Sequence, residues 1–104
     1  MGRGVNFMIT LEQLRSQYKP QILEIAEKYG ITDIRIYGSV ARGEATENSD
    51  IDFLVRRAKN SDAWGIGGFY YDIERLLGCK VDVATDGGIS KYIRDTVINE
   101  AKPL

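Results

Sequence analysis

Apolar residues between Leu11 and Tyr29 fall at helical spacing, with Leu11 and Leu14 opening a stripe that Ile22, Ile25, Ala26 and Tyr29 continue. Thr10 followed by Gln13 has the pattern of a capping box, so a helix starts at Thr10. Pro20 lacks an amide hydrogen and fits badly inside a helix. The pattern therefore predicts one short helix to about Tyr18 and a second that holds Pro20 in its first turn and ends at Gly30. From Ile31 the period changes to two, and Ile34 and Ile36 alternate with polar neighbours as in a half-buried strand running from Ile31 to Tyr37. Gly38 closes it. A helical turn over Val40 to Glu44, a polar loop from Thr46 to Ser49 and a second strand from Ile51 to Val55 follow. Ser61 or Asp62 can cap a helix that runs to Leu77, with Phe69, Tyr70, Ile73, Leu76 and Leu77 on its buried side and Gly78 just past its end. Gly65, Gly67 and Gly68 each weaken a helix by up to about 1 kcal/mol relative to Ala, which predicts an irregular or mobile start. Lys80 to Thr85 reads as a third strand, Asp86-Gly87-Gly88 as a turn, and Ser90 to Ala101 as a last helix with Ile93, Val97 and Ile98 inward.

This order predicts an α/β (α+β) fold, with a small mixed sheet of three strands or slightly more flanked by helices. One domain is expected over residues 10–104, behind an N-terminal arm of residues 1–9. Composition narrows the chemistry. The net charge is −1, from 14 basic and 15 acidic residues, so no general basic field exists to hold nucleic acid or an anionic membrane. Any phosphate binding must be local. One cysteine, Cys79, leaves no intrachain disulfide, and the lack of histidine removes the commonest general base and the commonest zinc ligand. No apolar run is long enough to span a bilayer and the first residues lack a signal-peptide core, so a cytoplasmic protein is expected.

The chemistry concentrates in IYGSVARGEATENSDIDFLV, where ten residues separate Gly38-Ser39 from Asp50-x-Asp52. Residues two apart on a strand leave the same face with Cα atoms roughly 6.5–7 Å apart, so Asp50 and Asp52 are expected to look at one point. Two carboxylates whose oxygens came within about 5 Å would repel by around 3 kcal/mol at an effective dielectric near 20, which a divalent cation would reverse. With oxygen donors alone, Mg²⁺ or Mn²⁺ is the natural ion. Asp82 lies in the apolar strand Val81-Asp82-Val83, where an unpaired carboxylate would be costly, so it is expected to want a partner. If this strand lies beside the second, Asp82 completes a three-carboxylate site able to hold two metals. Gly38 permits a sharp turn. Ser39 can cap the short helix while offering its hydroxyl to a phosphate, and Arg42 has the bidentate geometry to hold a phosphate oxygen. For this cradle to meet Asp50, the first two strands must be antiparallel.

The residues GSVARGEATENSDIDFLV, followed by VDVAT, resemble the minimal nucleotidyltransferases of the DNA polymerase beta-like superfamily, and the resemblance extends from about Thr10 to the closing Glu-Ala-Lys-Pro-Leu. It implies that fold, with Gly38 and Ser39 contacting the triphosphate. It further implies that Asp50 and Asp52 bind two Mg²⁺ ions, and that Asp82 binds one of them and activates the acceptor hydroxyl. Larger members carry a further domain for tRNA, DNA or antibiotics. Minimal ones look like antitoxins of two-gene modules whose partner is a HEPN-domain RNase toxin, which implies a hetero-oligomer and AMP transfer from ATP to a tyrosine of that toxin. Two rival readings remain: a non-catalytic adaptor that occludes its partner, and transfer to a small molecule or an RNA end.

The remaining features carry less. Cys79 has no neighbouring base and reads as an inert strand-edge residue. Trp64, Phe69, Tyr70 and Tyr71 read first as core, though Trp64, at a weak helix start, could stack on an adenine or a partner. The glycines at 65–68 lack the Gly-Lys-Ser/Thr of a P-loop.

Overall fold

The computed structural model describes residues 9–59 and 64–104. The expected arm, apart from Ile9, and the caps Ser61 and Asp62 lie outside the described residues. Helix α1 (Leu11–Gln13) begins with the expected capping box: Gln13 N donates to Thr10 Oγ1 at 3.1 Å, and Thr10 N donates to Gln13 Oε1 at 3.0 Å. The predicted break before Pro20 is absent. A π-helical segment, Leu14–Tyr18, runs straight into α2 (Lys19–Lys28), whose first turn holds Pro20. A widened turn accommodates the missing amide without ending the helix, which sequence period alone does not reveal.

Strand β1 (Ile31–Tyr37) is followed directly by the one-and-a-half-turn helix α3 (Gly38–Arg42), then β2 (Ile51–Arg57), α4 (Gly65–Leu77), β3 (Val81–Thr85), a 3₁₀ turn over Asp86–Gly88, α5 (Lys91–Glu100) and a two-residue β4 (Lys102–Pro103). The sheet order is β3-β2-β1-β4. β1 pairs antiparallel with β2 and β4, and β2 pairs parallel with β3, so the sheet is mixed and has four strands. The short fourth strand was not expected from sequence. Its two residues pair with Arg35 and Ile36, Leu104 N donates to Ile34 O at 3.2 Å, and Arg15 Nη2 donates to Pro103 O at 2.6 Å.

One face of the sheet presents Ile34, Ile36, Phe53, Val55 and Val81 to Ile22 and Ala26 of α2 and to Phe69, Ile73 and Leu77 of α4. Phe53 and Phe69 meet edge to face with ring centroids 6.0 Å apart. The other face is covered more thinly. There Leu54 packs with Ile89 and with Val97 of α5, edged by Tyr37, Ala84 and Ala101. Of the three apolar residues expected inward on α5, only Val97 is buried, whereas Ile93 and Ile98 are exposed. The covered patch is too small to need a wider stripe. Tyr70 and Tyr71 are likewise exposed rather than core. Among the described residues no helix is long and apolar enough to cross a membrane.

The start of α4 corrects another expectation. The helix is regular from Gly65, and two of its glycines are contact points: a Cβ on Gly65 would come within 2.4 Å of Tyr29 O, and one on Gly68 within 2.2 Å of Tyr29 Cε1. They let α4 lie close against the end of α2, where the Tyr29 hydroxyl donates to Asp72 at 2.8 Å. Gly67 has open space around it. Gly68→Ala is therefore expected to lower stability by about 1–3 kcal/mol through overpacking, whereas Gly67→Ala raises it by up to about 1 kcal/mol. Thermal melts of the two variants check this, and equal shifts would contradict it.

Candidate active site

The site forms where β1, β2 and β3 align one residue each. Tyr37, the last residue of β1, faces Asp52 across the antiparallel pair, and Asp52 faces Asp82 across the parallel pair. Residues in register share a face of the pleat, so one row runs Tyr37, Asp52, Asp82. β1 and β2 are antiparallel, as the cradle requires, and β3 lies beside β2, as the third carboxylate requires. Two details differ from expectation. Asp50 stands just before β2 rather than in it, next to Ile51, which is buried and donates its amide to Lys80 O at 3.2 Å. Asp82 is exposed on the edge strand β3, so burial cost is not what gives it a partner.

Gly38 makes the turn from β1 into α3 at φ +74°, and the space its missing Cβ leaves is taken: a Cβ there would stand 2.1 Å from Asp52 Oδ2. Glycine is required twice over, once by the left-handed backbone and once by the carboxylate. Ser39 sits inside the first turn of α3. The cap position belongs to Tyr37, so the expected capping role of the Ser39 hydroxyl does not hold. Gly43, at φ +74°, ends the helix. A turn follows in which Thr46 N donates to Ser49 Oγ at 2.9 Å and Ser49 N to Thr46 O at 3.0 Å, leading the chain back to Asp50.

Like charges dominate this corner. Partial burial, then Asp82, Asp50 and Glu100, push the Asp52 carboxyl up to about 6, against a smaller lowering by Arg42. Burial, followed by Asp52 and Asp82, pushes the Tyr37 hydroxyl up to about 12, so it stays protonated and faces Asp82. Among the described residues no three carboxylates already stand close enough to make a finished metal cage. The donor set nevertheless fits a hard divalent cation: it is oxygen only, its charges oppose one another, and Gly38 leaves Asp52 Oδ2 free of a covering side chain.

Arg42 is not a free phosphate ligand. Its Nε donates to Glu44 Oε1 at 2.8 Å and its Nη1 to Glu100 Oε1 at 2.5 Å, while Glu100 Oε2 accepts from Gly38 N at 2.8 Å. Arg42 and the Gly38 amide together hold the Glu100 carboxyl below its usual range against a smaller rise from burial. Sequence reasoning missed both Glu100 and Tyr37. Tyr37 was findable as the residue beside Gly38 that must face Asp52 across the sheet. Glu100 carries no local signal, since its partners lie far away in sequence. A cavity of about 290 Å³ between the start of α1, α3 and Lys102 shares only Arg42 with this group.

Cys79 behaves as expected: burial, then Glu74 and Asp50, raise its thiol pKa, which suppresses the thiolate. Trp64, just before α4, is 84% exposed and not core.

The model of the nucleotidyltransferase domain family matches residues 19–104. The protein adenylyltransferase MntA of Thermococcus cleftensis is 33% identical over 93 residues, covering 89% of this chain and 94% of its own. A solved structure described as a minimal nucleotidyltransferase superposes with a TM-score of 0.78 at 34% identity, covering 99% of this chain and all of the other. A chain from a toxin–antitoxin crystal structure with AMP-PNP shares the fold, with a TM-score of 0.68 at 22% identity over 83% of this chain and 71% of its own. The chain belongs to the nucleotidyltransferase domain family.

Proposed function

We propose that this chain transfers AMP from ATP to a tyrosine hydroxyl of a HEPN-domain RNase toxin and thereby acts as its antitoxin. The observation that carries the reading is the register: Asp52 lies beside Asp82 on one side and at the Gly38 turn on the other, which supports a site shared by carboxylates and a phosphate cradle. The relative named as a protein adenylyltransferase supports the acceptor class. The AMP-PNP complex among proteins of the same fold is consistent with the nucleotide. An acidic chain without a basic field also favours a protein acceptor over a nucleic acid.

In this reading Asp50, Asp52 and Asp82 would hold two Mg²⁺ ions, which supply charge neutralisation for the phosphates and the attacking oxygen when bound. The α3 amides, the Ser39 hydroxyl and Arg42 take the phosphate oxygens. Asp82, at the open edge of the sheet, accepts the proton of the acceptor hydroxyl. The acceptor oxygen bonds to the α-phosphorus of ATP, the bond to the β-phosphate bridge breaks, and diphosphate leaves. The toxin presents its tyrosine at the open edge of the sheet, so the active species is a hetero-oligomer. A reaction that draws on ATP to silence an RNase belongs in the cytoplasm.

The test is to incubate the chain with its genomic neighbour, ATP and Mg²⁺. The neighbour is expected to gain the mass of one or more AMP units on tyrosine, and Asp50→Asn or Asp52→Asn is expected to abolish the gain while leaving the fold intact. A neighbour that is silenced without gaining mass would establish the occluding adaptor instead. A second expectation follows from charge. The folded-state pKa of Asp52, about 6, lies above the ordinary 3.8, so its protonation favours the folded chain at low pH and that advantage is lost as pH rises through about 6. In Mg²⁺-free buffer Asp52→Asn is therefore expected to melt higher than the parent at pH 7, with the gap closing as pH falls from about 6 toward 4. A gap that widens toward acid would contradict the electrostatic account.

A further inference from the structure

Two of the groups assigned to the triphosphate already hold an anion. The Glu100 carboxylate spans the Gly38 amide, at 2.8 Å, and the Arg42 guanidinium, at 2.5 Å, one oxygen to each. Its side chain is 19% exposed, so this is a seated group and not a passing surface pair. The arrangement matches how a phosphate is held, with one oxygen on a backbone amide and one on an arginine nitrogen. Glu44 also binds Arg42, but through Nε and from a side chain that is 67% exposed.

We propose that Glu100 is a built-in stand-in for a nucleotide phosphate, and that the incoming triphosphate must displace it from Gly38 and Arg42. The inference rests on the phosphate-cradle reading above and adds a determinant of nucleotide affinity to it. Glu100 is the last residue of α5, and the chain is anchored just beyond it by β4 on β1 and by Arg15 on Pro103 O. The carboxylate is thus delivered by a fixed backbone. Its release needs only a rotation of the side chain, and Arg42 then exchanges one oxyanion for another. The site also escapes a cost: without nucleotide, Arg42 and the Gly38 amide are satisfied rather than left bare beside Asp52. Part of the binding energy of each nucleotide is spent on breaking two charge-assisted hydrogen bonds, so nucleotide leaves more readily than the cradle alone would allow.

The experiment is calorimetric titration of AMP-PNP with Mg²⁺ into the full chain and its Glu100→Gln, Glu44→Gln and Arg42→Ala variants, with circular dichroism melts to verify folding. Glu100→Gln keeps a neutral partner for the Gly38 amide but removes the competing charge, so AMP-PNP is expected to bind about tenfold tighter, the size of one charge-assisted hydrogen bond. Glu44→Gln is expected to change affinity by less than about threefold, the scale of an exposed pair. Arg42→Ala is expected to weaken it. Unchanged or weaker binding to Glu100→Gln, while Arg42→Ala still weakens binding, would overturn the inference alone and make Glu100 a positioning residue for Arg42. Equal tightening in the two glutamine variants would also overturn it, since general charge near Arg42 would then suffice. Failure of every variant, parent included, to bind AMP-PNP would overturn the cradle reading and this inference together.

Discussion

The register of β2 against its two neighbours is the constraint on which the rest depends. Side chains alternate along a strand, so a slip of one residue would turn Asp52 into the main core and Phe53 to the thinly covered face. The core forbids that slip. Phe53 and Val55 are fully buried against α2 and α4, and Phe53 stands edge to face with Phe69. The same packing that buries Phe53 therefore sets Asp52 between Tyr37 and Asp82. Repulsion among the carboxylates is tolerated because apolar burial on the opposite face holds the strand where it is. The polar row is a by-product of a core that satisfies itself.

A second constraint acts through Gly38. Any side chain there would collide with Asp52 Oδ2, and the backbone needs a left-handed conformation at the same residue. The turn, the start of α3 and the approach of the carboxylate are thus one geometric solution. The C-terminus closes it from the other side. β4 pairs with Arg35 and Ile36 near the end of β1, and this fixes the end of α5 so that Glu100 reaches the Gly38 amide and Arg42. Terminal residues that look peripheral in sequence are in this way part of the wall around the Gly38 turn.

Much of this was legible in the chain itself. Ile31 to Tyr37 declares its period and its closing glycine, and the Gly-Ser to Asp-x-Asp spacing demands a close antiparallel pair, which β1 and β2 form. Local patterns fail where the decisive partner is remote. Gly65 and Gly68 look like helix breakers until Tyr29 is placed against them. Pro20 looks like a stop because a π turn has no sequence period of its own. Ile93 and Ile98 share the spacing of Val97, but the small covered patch over Leu54 takes only one of them. Arg42 reads as a waiting phosphate ligand because Glu100, far along the chain, meets it only in three dimensions.

The central claim is that one corner gathers the metal ligands and the phosphate cradle. The most direct measurement is a crystal structure of the chain with AMP-PNP and Mn²⁺, located by its anomalous scattering. The account predicts manganese bound by Asp50, Asp52 and Asp82, with the nucleotide phosphates on the first turn of α3 and against Ser39. Manganese bound elsewhere, or AMP-PNP seated away from Gly38 and Ser39, would contradict it.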